Sequence, residues 1–134
     1  MVPIMAELDY AFLAEYAKVE AGKLTAVGAS YLDIRPPTFP AQHIIFIAGR
    51  IRAPEDTESI ALKIRINPPG NVNIVLDGTI TVGPDEPRYD GKVAVVFAAS
   101  AAVLLMSAGL CEIFVDIDGV QQRRLAFAVI APQQ

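Results

Sequence analysis

The chain has no tryptophan, one cysteine and one histidine among its 134 residues. Each scarcity removes a class of chemistry. Cys111 alone cannot form a disulfide within the chain, and among apolar neighbours it reads as a core thiol. Cys111 and His43 supply too few ligands for a structural zinc site, which takes four, and the same count argues against a cupin-like metal centre. No metal or other cofactor is expected. Nucleophilic catalysis needs a nucleophile, a base and an orienter. No serine or cysteine sits in a G-x-S-x-G elbow for His43 to activate. Glycine-rich phosphate loops are absent too, so the sequence leans away from an enzyme.

Charge is also scarce. Charged residues make up 19% of the chain, and 15 acidic against 11 basic residues leave a net charge of −4. Lysine and arginine do not cluster, whereas a nucleic-acid binder needs a cationic surface to displace counterions, so no nucleic-acid partner is expected. The longest apolar stretch, Val93–Met106, is 14 residues broken only by Ser100. A bilayer span needs about 20, so no membrane span is expected. Met1–Leu8 lacks the basic start and apolar run of a signal peptide. The resulting expectation is a cytoplasmic protein.

What the chain has is hydrophobic residues, at 53%, and regular punctuation. Turn signals recur every ten or so residues: Ala21-Gly22, Pro36-Pro37 with Pro40, Pro54-Glu55-Asp56, Pro68-Pro69-Gly70, Gly83-Pro84-Asp85 with Pro87, Asp90-Gly91 and Asp118-Gly119. Such spacing marks an all-β sandwich or barrel. The expected fold is a single domain, residues 1–134. It would be an antiparallel β-sandwich, immunoglobulin-like or jelly-roll-like, of about seven or eight strands.

Period-two alternation supports this. Ile60, Leu62, Ile64 and Ile66 alternate with Ala61, Lys63 and Arg65. Val72 to Val82 repeats the pattern, with Gly78 on the inward face, where it marks a bulge or a close approach. Tyr10–Val19 and Lys23–Ile34 read as a hairpin of two strands apolar on both faces, as does the start of His43–Arg52, whose Arg50 and Arg52 point outward. Val93 to about Ala99 reads as a strand. The Ala- and Leu-rich stretch after it reads as irregular chain or a short second strand up to Gly109, with a helical turn as the alternative. In the last hairpin, Cys111, Ile113, Val115 and Ile117 must share a core with Leu125, Phe127 and Val129. That requires odd positions to oppose odd ones, which predicts a three-residue loop, Ile117–Gly119, with a bulge at Gly119.

Two segments carry a resemblance. One is Phe12-Leu13-Ala14-Glu15-Tyr16-Ala17 with Gly22-Lys23-Leu24 and Val27-Gly28; the other is Gly109 to Gly119 with Leu125-Ala126-Phe127-Ala128-Val129. Together they resemble an uncharacterised bacterial domain family, common in actinobacteria and of unknown function. Pro36-Pro37 and Phe39-Pro40 fit that family's linker. The resemblance implies a compact sandwich and carries no activity. The chain departs from it at Ser100–Ala108, where the family has a proline-bearing loop.

Candidate binding residues are few. His43 could be a base, Arg50 and Arg52 share a strand face suited to a carboxylate or phosphate, and Tyr31 with Tyr10, Tyr16 and Tyr89 could line a ligand platform. The plainer readings are a hydrogen-bonded strand-start histidine, an outward edge-protecting arginine face and tyrosines packed at the rim of the core. Glu15 and Asp33 read as surface charges. Asp116 with Asp118, and Asp85 with Glu86 and Asp90, lack the order of a calcium loop and read as solvated turn carboxylates. The leading functional expectation is a non-enzymatic interaction or assembly module, a homo-oligomer or the binder of a protein partner. Its warrant is that strands apolar on both faces need a cover and that open sheet edges invite an added strand. The alternative is a small-molecule binding domain with a pocket lined by tyrosine and arginine.

Overall fold

A computed structural model describes residues 5–132, so Met1–Ile4, part of the stretch read as lacking a signal peptide, and Gln133-Gln134 lie outside the described residues. The strands are β1 (Glu7–Ala14), β2 (Tyr16–Glu20), β3 (Lys23–Val27), β4 (Asp33–Ile34), β5 (Ala41–Pro54), β6 (Ser59–Asn67), β7 (Ile74–Thr81), β8 (Arg88–Tyr89), β9 (Lys92–Leu105), β10 (Gly109–Ile117) and β11 (Val120–Val129). No helix forms among the described residues, so none is long and apolar enough to cross a membrane. Two sheets, ordered β1-β5-β9-β8 and β4-β11-β10-β6-β7, make a β-sandwich, and β2-β3 forms a separate two-stranded ribbon. Every pairing is antiparallel except β4 on β11.

The strand count exceeds the expected seven or eight because two expected strands each divide and β8 adds a short piece. The run Tyr10–Val19 breaks at Glu15, whose N–H donates to the Val27 carbonyl at 3.0 Å. Before the break the chain lies in the first sheet; after it, the ribbon folds over that sheet's outer face. There Ala14, Ala17 and Ala48 are buried together, with Phe12, Leu24, Phe46 and Ala98 packed around them. Small residues let the ribbon lie close, so the chain itself covers part of the surface that both-face apolarity announces. The run Lys23–Ile34 divides where Gly28 and Ser30 take positive φ, which ends the ribbon and sends Asp33–Ile34 to the other sheet.

The central ladder joins β5 and β9 from Ala41↔Leu105 to Pro54↔Lys92 without a register shift. Its odd-numbered residues face the second sheet: Ile45, Ile47 and Ile51 from β5, and Val93, Val95, Phe97, Val103 and Leu105 from β9, all buried. Ile60, Ile64, Ile66, Ile113, Val115 and Phe127 answer from the opposite sheet. Burying each such side chain contributes about 1.5–3 kcal/mol. β9 therefore runs unbroken to Leu105, through the stretch expected to be irregular chain, a short second strand or a helical turn. Pairing with β5 overrides the helix preference of its alanines, which on this strand serve as small alternating residues.

Three connections, Ala21-Gly22, Asp90-Gly91 and Asp118-Gly119, have positive φ at both residues, the backbone of a two-residue type I′ turn. The last of these corrects the expected three-residue loop: Ile117 pairs directly with Val120. Core faces still match, since the parity switch lies farther up the hairpin. Val115 opposes Arg123 while Asp116 opposes Gln121, which leaves Gln122 as the extra residue of a bulge. Beyond it Ile113 opposes Leu125 and Cys111 opposes Phe127. A second bulge sets Asp9 between Leu8↔Ile51 and Tyr10↔Arg50. Gly49 accommodates it, since the Tyr10 carbonyl oxygen occupies the place where a Cβ would stand. Gly78 marks neither a bulge nor a close approach. It simply opposes Leu62, with open space where its side chain would be.

Ala21 carries the left-handed backbone of its turn at φ 52°, where asparagine fits better than alanine. Ala21→Asn is expected to raise stability by about 0.5–1 kcal/mol, read as a higher denaturation midpoint at unchanged slope. An unchanged or lower midpoint would contradict the turn assignment.

Candidate functional site

Strand parity separates the candidate residues. His43 shares its face of β5 with Ile45 and Ile47 and points between the sheets; Arg50 and Arg52 lie on the even, outer face. Seven residues of extended chain also place His43 and Arg50 roughly 23 Å apart. They belong to different places.

At the end of the sandwich, Tyr31 Oη and His43 Nε2 share a hydrogen bond of 3.2 Å. Both rings meet Phe127 edge-on, with centroid distances of 5.4 Å for Tyr31 and 5.9 Å for His43. Burial raises the Tyr31 pKa to about 12, with nearby Cys111 and Glu15 adding to the shift, and burial lowers that of His43. Both shifts favour the neutral form of the group. The pair opens on a cleft of about 590 Å³, which Glu15, Asp33, Arg35 and Gln42 also line. Glu15 and Asp33 are therefore cleft residues as well as charges. Glu15 is fixed against Gly28, where an added Cβ would come within 2.5 Å of its carboxyl carbon. A sequence signal for Glu15 is its place as the first of two charges in the apolar run Tyr10–Val19; nothing local points to Arg35 or Gln42.

Arg50 and Arg52 sit on a central strand, so they do not protect an edge. They reach across to β1. Arg50 Nε donates to Asp9 Oδ2 at 2.7 Å, and Arg52 Nη2 lies 3.2 Å from Glu7 Oε1 and 3.5 Å from Asp9 Oδ1. The bulge is what delivers the Asp9 carboxylate between two guanidinium groups. Its hydrogen bond to Arg50, helped by the charges of Arg50 and Arg52, holds its pKa below the usual carboxylate range. The Arg50 guanidinium also lies over the Tyr10 ring at 5.4 Å, beside a cleft of about 410 Å³ that includes Tyr89. The anion these arginines could hold is thus already the chain's own.

Two further carboxylates are engaged within the chain as well. Asp116 is buried and takes Arg65 in a fork, with both bonds at 3.0 Å, instead of being a solvated turn carboxylate. Asp118 accepts from the Ala61 N–H at 2.9 Å. Cys111 is fully buried and its pKa is pushed up to about 12, chiefly by burial, so its sulfur stays a thiol. Among the described residues, no three His, Cys, Asp or Glu side chains gather as a metal site.

The outer face of the first sheet carries a third feature. Ile44 is 51% exposed and Leu104 45%, and Ile44 opposes Ala102 across the ladder. The strip continues through Phe46 to Tyr16, whose ring lies 5.3 Å from that of Phe46, and to Val27, exposed beside Tyr16. None of these residues is charged.

The burial of His43 has a pH consequence. Unfolded, its imidazole takes a proton near its ordinary value of 6.5; folded, it does so only at lower pH. The stability this contributes is fully present above 6.5 and is lost as pH falls through and below that value. Asp9 titrates below 3.8, outside this window. Between about pH 7 and 5, the wild-type chain is expected to lose stability faster than His43→Gln, measured as unfolding midpoints at each pH. Parallel curves would show that His43 is solvated.

No curated protein matches the chain in a sequence comparison. A family model, described as a family of unknown function (DUF6941), matches residues 9–130. That span runs from the Asp9 bulge to Ile130, the residue after β11, and the chain belongs to this family of unknown function.

Proposed function

We propose that the domain is a non-enzymatic interaction module that self-associates through the outer face of its first sheet. The observation that carries this reading is the uncharged strip from Leu104 and Ile44 to Phe46, Tyr16 and Val27. Contiguous exposed apolar surface on a small domain marks an interaction site. The ribbon covers one part of the outer face, and its own Tyr16 and Val27 extend the exposed strip beyond Phe46. Two copies related by a two-fold axis would bring the same uncharged patch together without like-charge repulsion. A few clustered residues, aromatic ones such as Tyr16 above all, carry most of the energy of an interface.

The test is light scattering across a dilution series. The wild-type chain is expected to dissociate on dilution, and Ile44→Glu to shift that equilibrium by at least about tenfold, or 1.4 kcal/mol. Ile44 is exposed, so the thermal midpoint of the variant should barely move. A wild-type chain that stays monomeric at every concentration overturns the reading.

The Tyr31–His43 cleft favours a second reading, a small-molecule site. A half-buried aromatic and imidazole pair beside Glu15, Asp33 and Arg35 offers both donors and acceptors to a polar ligand. A metabolite bound there raises the apparent thermal midpoint by mass action. That rise should vanish in His43→Ala; its persistence would place the ligand elsewhere.

A further inference from the structure

The first sheet is one strand short of the sheet it faces. β8 covers only Lys92 and Val93 of β9, and beyond that point no described strand pairs with the outer edge of β9. Opposite the missing strand lies β7, whose inward residues Leu76 and Ile80 are only half-buried and whose Gly78 is exposed. The result is a slot of about 310 Å³ between the β9 edge, at Ala99 and Ser100, and the inner face of β6 and β7.

Both ends of the slot are closed. At one end the Ala94 N–H meets the Pro87 carbonyl at 3.5 Å; at the other, Asn71 Nδ2 donates to the Leu104 carbonyl at 2.9 Å. These contacts also show which backbone groups face outward. They are those of even-numbered residues, so Val96, Ala98, Ser100 and Ala102 present N–H and C=O groups to the open edge. The open stretch, Val96–Ala102, is about 23 Å long, the length of a seven-residue strand. From Ala94 to Leu105 this edge has no charge, no proline and no bulge, the devices that ordinarily blunt an edge.

We infer that this slot takes an extended segment of a partner protein as an added strand, hydrogen-bonded to β9, with apolar side chains at alternate positions resting on Leu76, Gly78 and Ile80. The unpaired backbone row specifies a peptide main chain, and the apolar floor specifies the alternation. The overhang specifies a single segment. A second sandwich joined at this edge would need its own lower sheet in the place that β7 already occupies. The added strand engages a backbone edge, whereas the proposed self-association uses a side-chain face, so the two readings can fail separately.

The test uses the full chain and a fluorescent seven-residue peptide of alternating valine and threonine flanked by lysines. Its control is the same peptide N-methylated at alternate backbone nitrogens. Anisotropy is expected to show saturable binding of the first peptide and none of the second. Two variants of the protein probe the slot. Gly78→Val fills open space at ordinary φ, and Ser100→Pro removes an outward N–H that the β5 ladder does not use. Each is expected to weaken binding at least about tenfold, or 1.4 kcal/mol, while keeping the wild-type thermal midpoint. Ile44→Glu should bind as wild type does. Absence of binding at millimolar peptide overturns the inference, as does equal binding by Gly78→Val and wild type. Dissociation of a wild-type oligomer by Gly78→Val would put a second copy in the slot and also overturn it. A strictly monomeric chain that binds the peptide in the expected way would remove the self-association reading and leave this one standing.

Discussion

The β5–β9 ladder is the constraint on which the remaining features rest. It is unshifted from Ala41↔Leu105 to Pro54↔Lys92, so every side chain along both strands has a fixed face. A slip of one residue would carry Ile45, Ile47 and Ile51 to the outside and bring Arg50 and Arg52 between the sheets, where their charges would lack partners. The same parity sends His43 inward to Tyr31 and Phe127, and exposes Ile44 and Leu104. Site and surface are therefore two sides of one registration.

Much of the architecture could be read from local pattern. Alternation in Ile60–Ile66 and the glycine-bearing turns named the sheets correctly, because half-buried strands impose period two and left-handed turn residues restrict composition. The matching of core faces in the last hairpin was legible in the same way, since Cys111 and Ile113 had to meet Phe127 and Leu125. The device that achieves it was not. Shifting the extra residue from Gly119 to Gln122 leaves the core pattern unchanged, and only the ladder distinguishes them. The helix-favouring alanines of β9 misled for a related reason: their partner, β5, is far away in sequence.

The binding candidates divided along the same line. His43 and Arg50 stand together as candidates for one pocket in the sequence reading, although their difference in parity sets them on opposite faces of β5. The company His43 keeps was not visible, for Glu15, Asp33 and Arg35 arrive from segments whose turns at Gly28 and Ser30 decide their direction. By sequence alone the apolar excess reads as a surface awaiting another molecule. Part of it is satisfied within the chain, where Ala17 and Leu24 of the ribbon settle on Ala48 and Ala98. What stays open is smaller and more particular: the strip beside Ile44, the cleft at Tyr31 and the unpaired side of β9.

The distance in sequence between β5 and β9 also bears on how the chain reaches its native state. Hairpins closed by two-residue turns, β2-β3 and β10-β11 among them, bring near neighbours together at little cost in loop entropy. Joining Ala41 to Leu105 requires a much larger loop to close, and topologies dominated by such pairings fold slowly. During that interval two long, greasy segments wait without partners, at concentrations set by synthesis. The cell must then keep nascent copies apart until the ladder has closed.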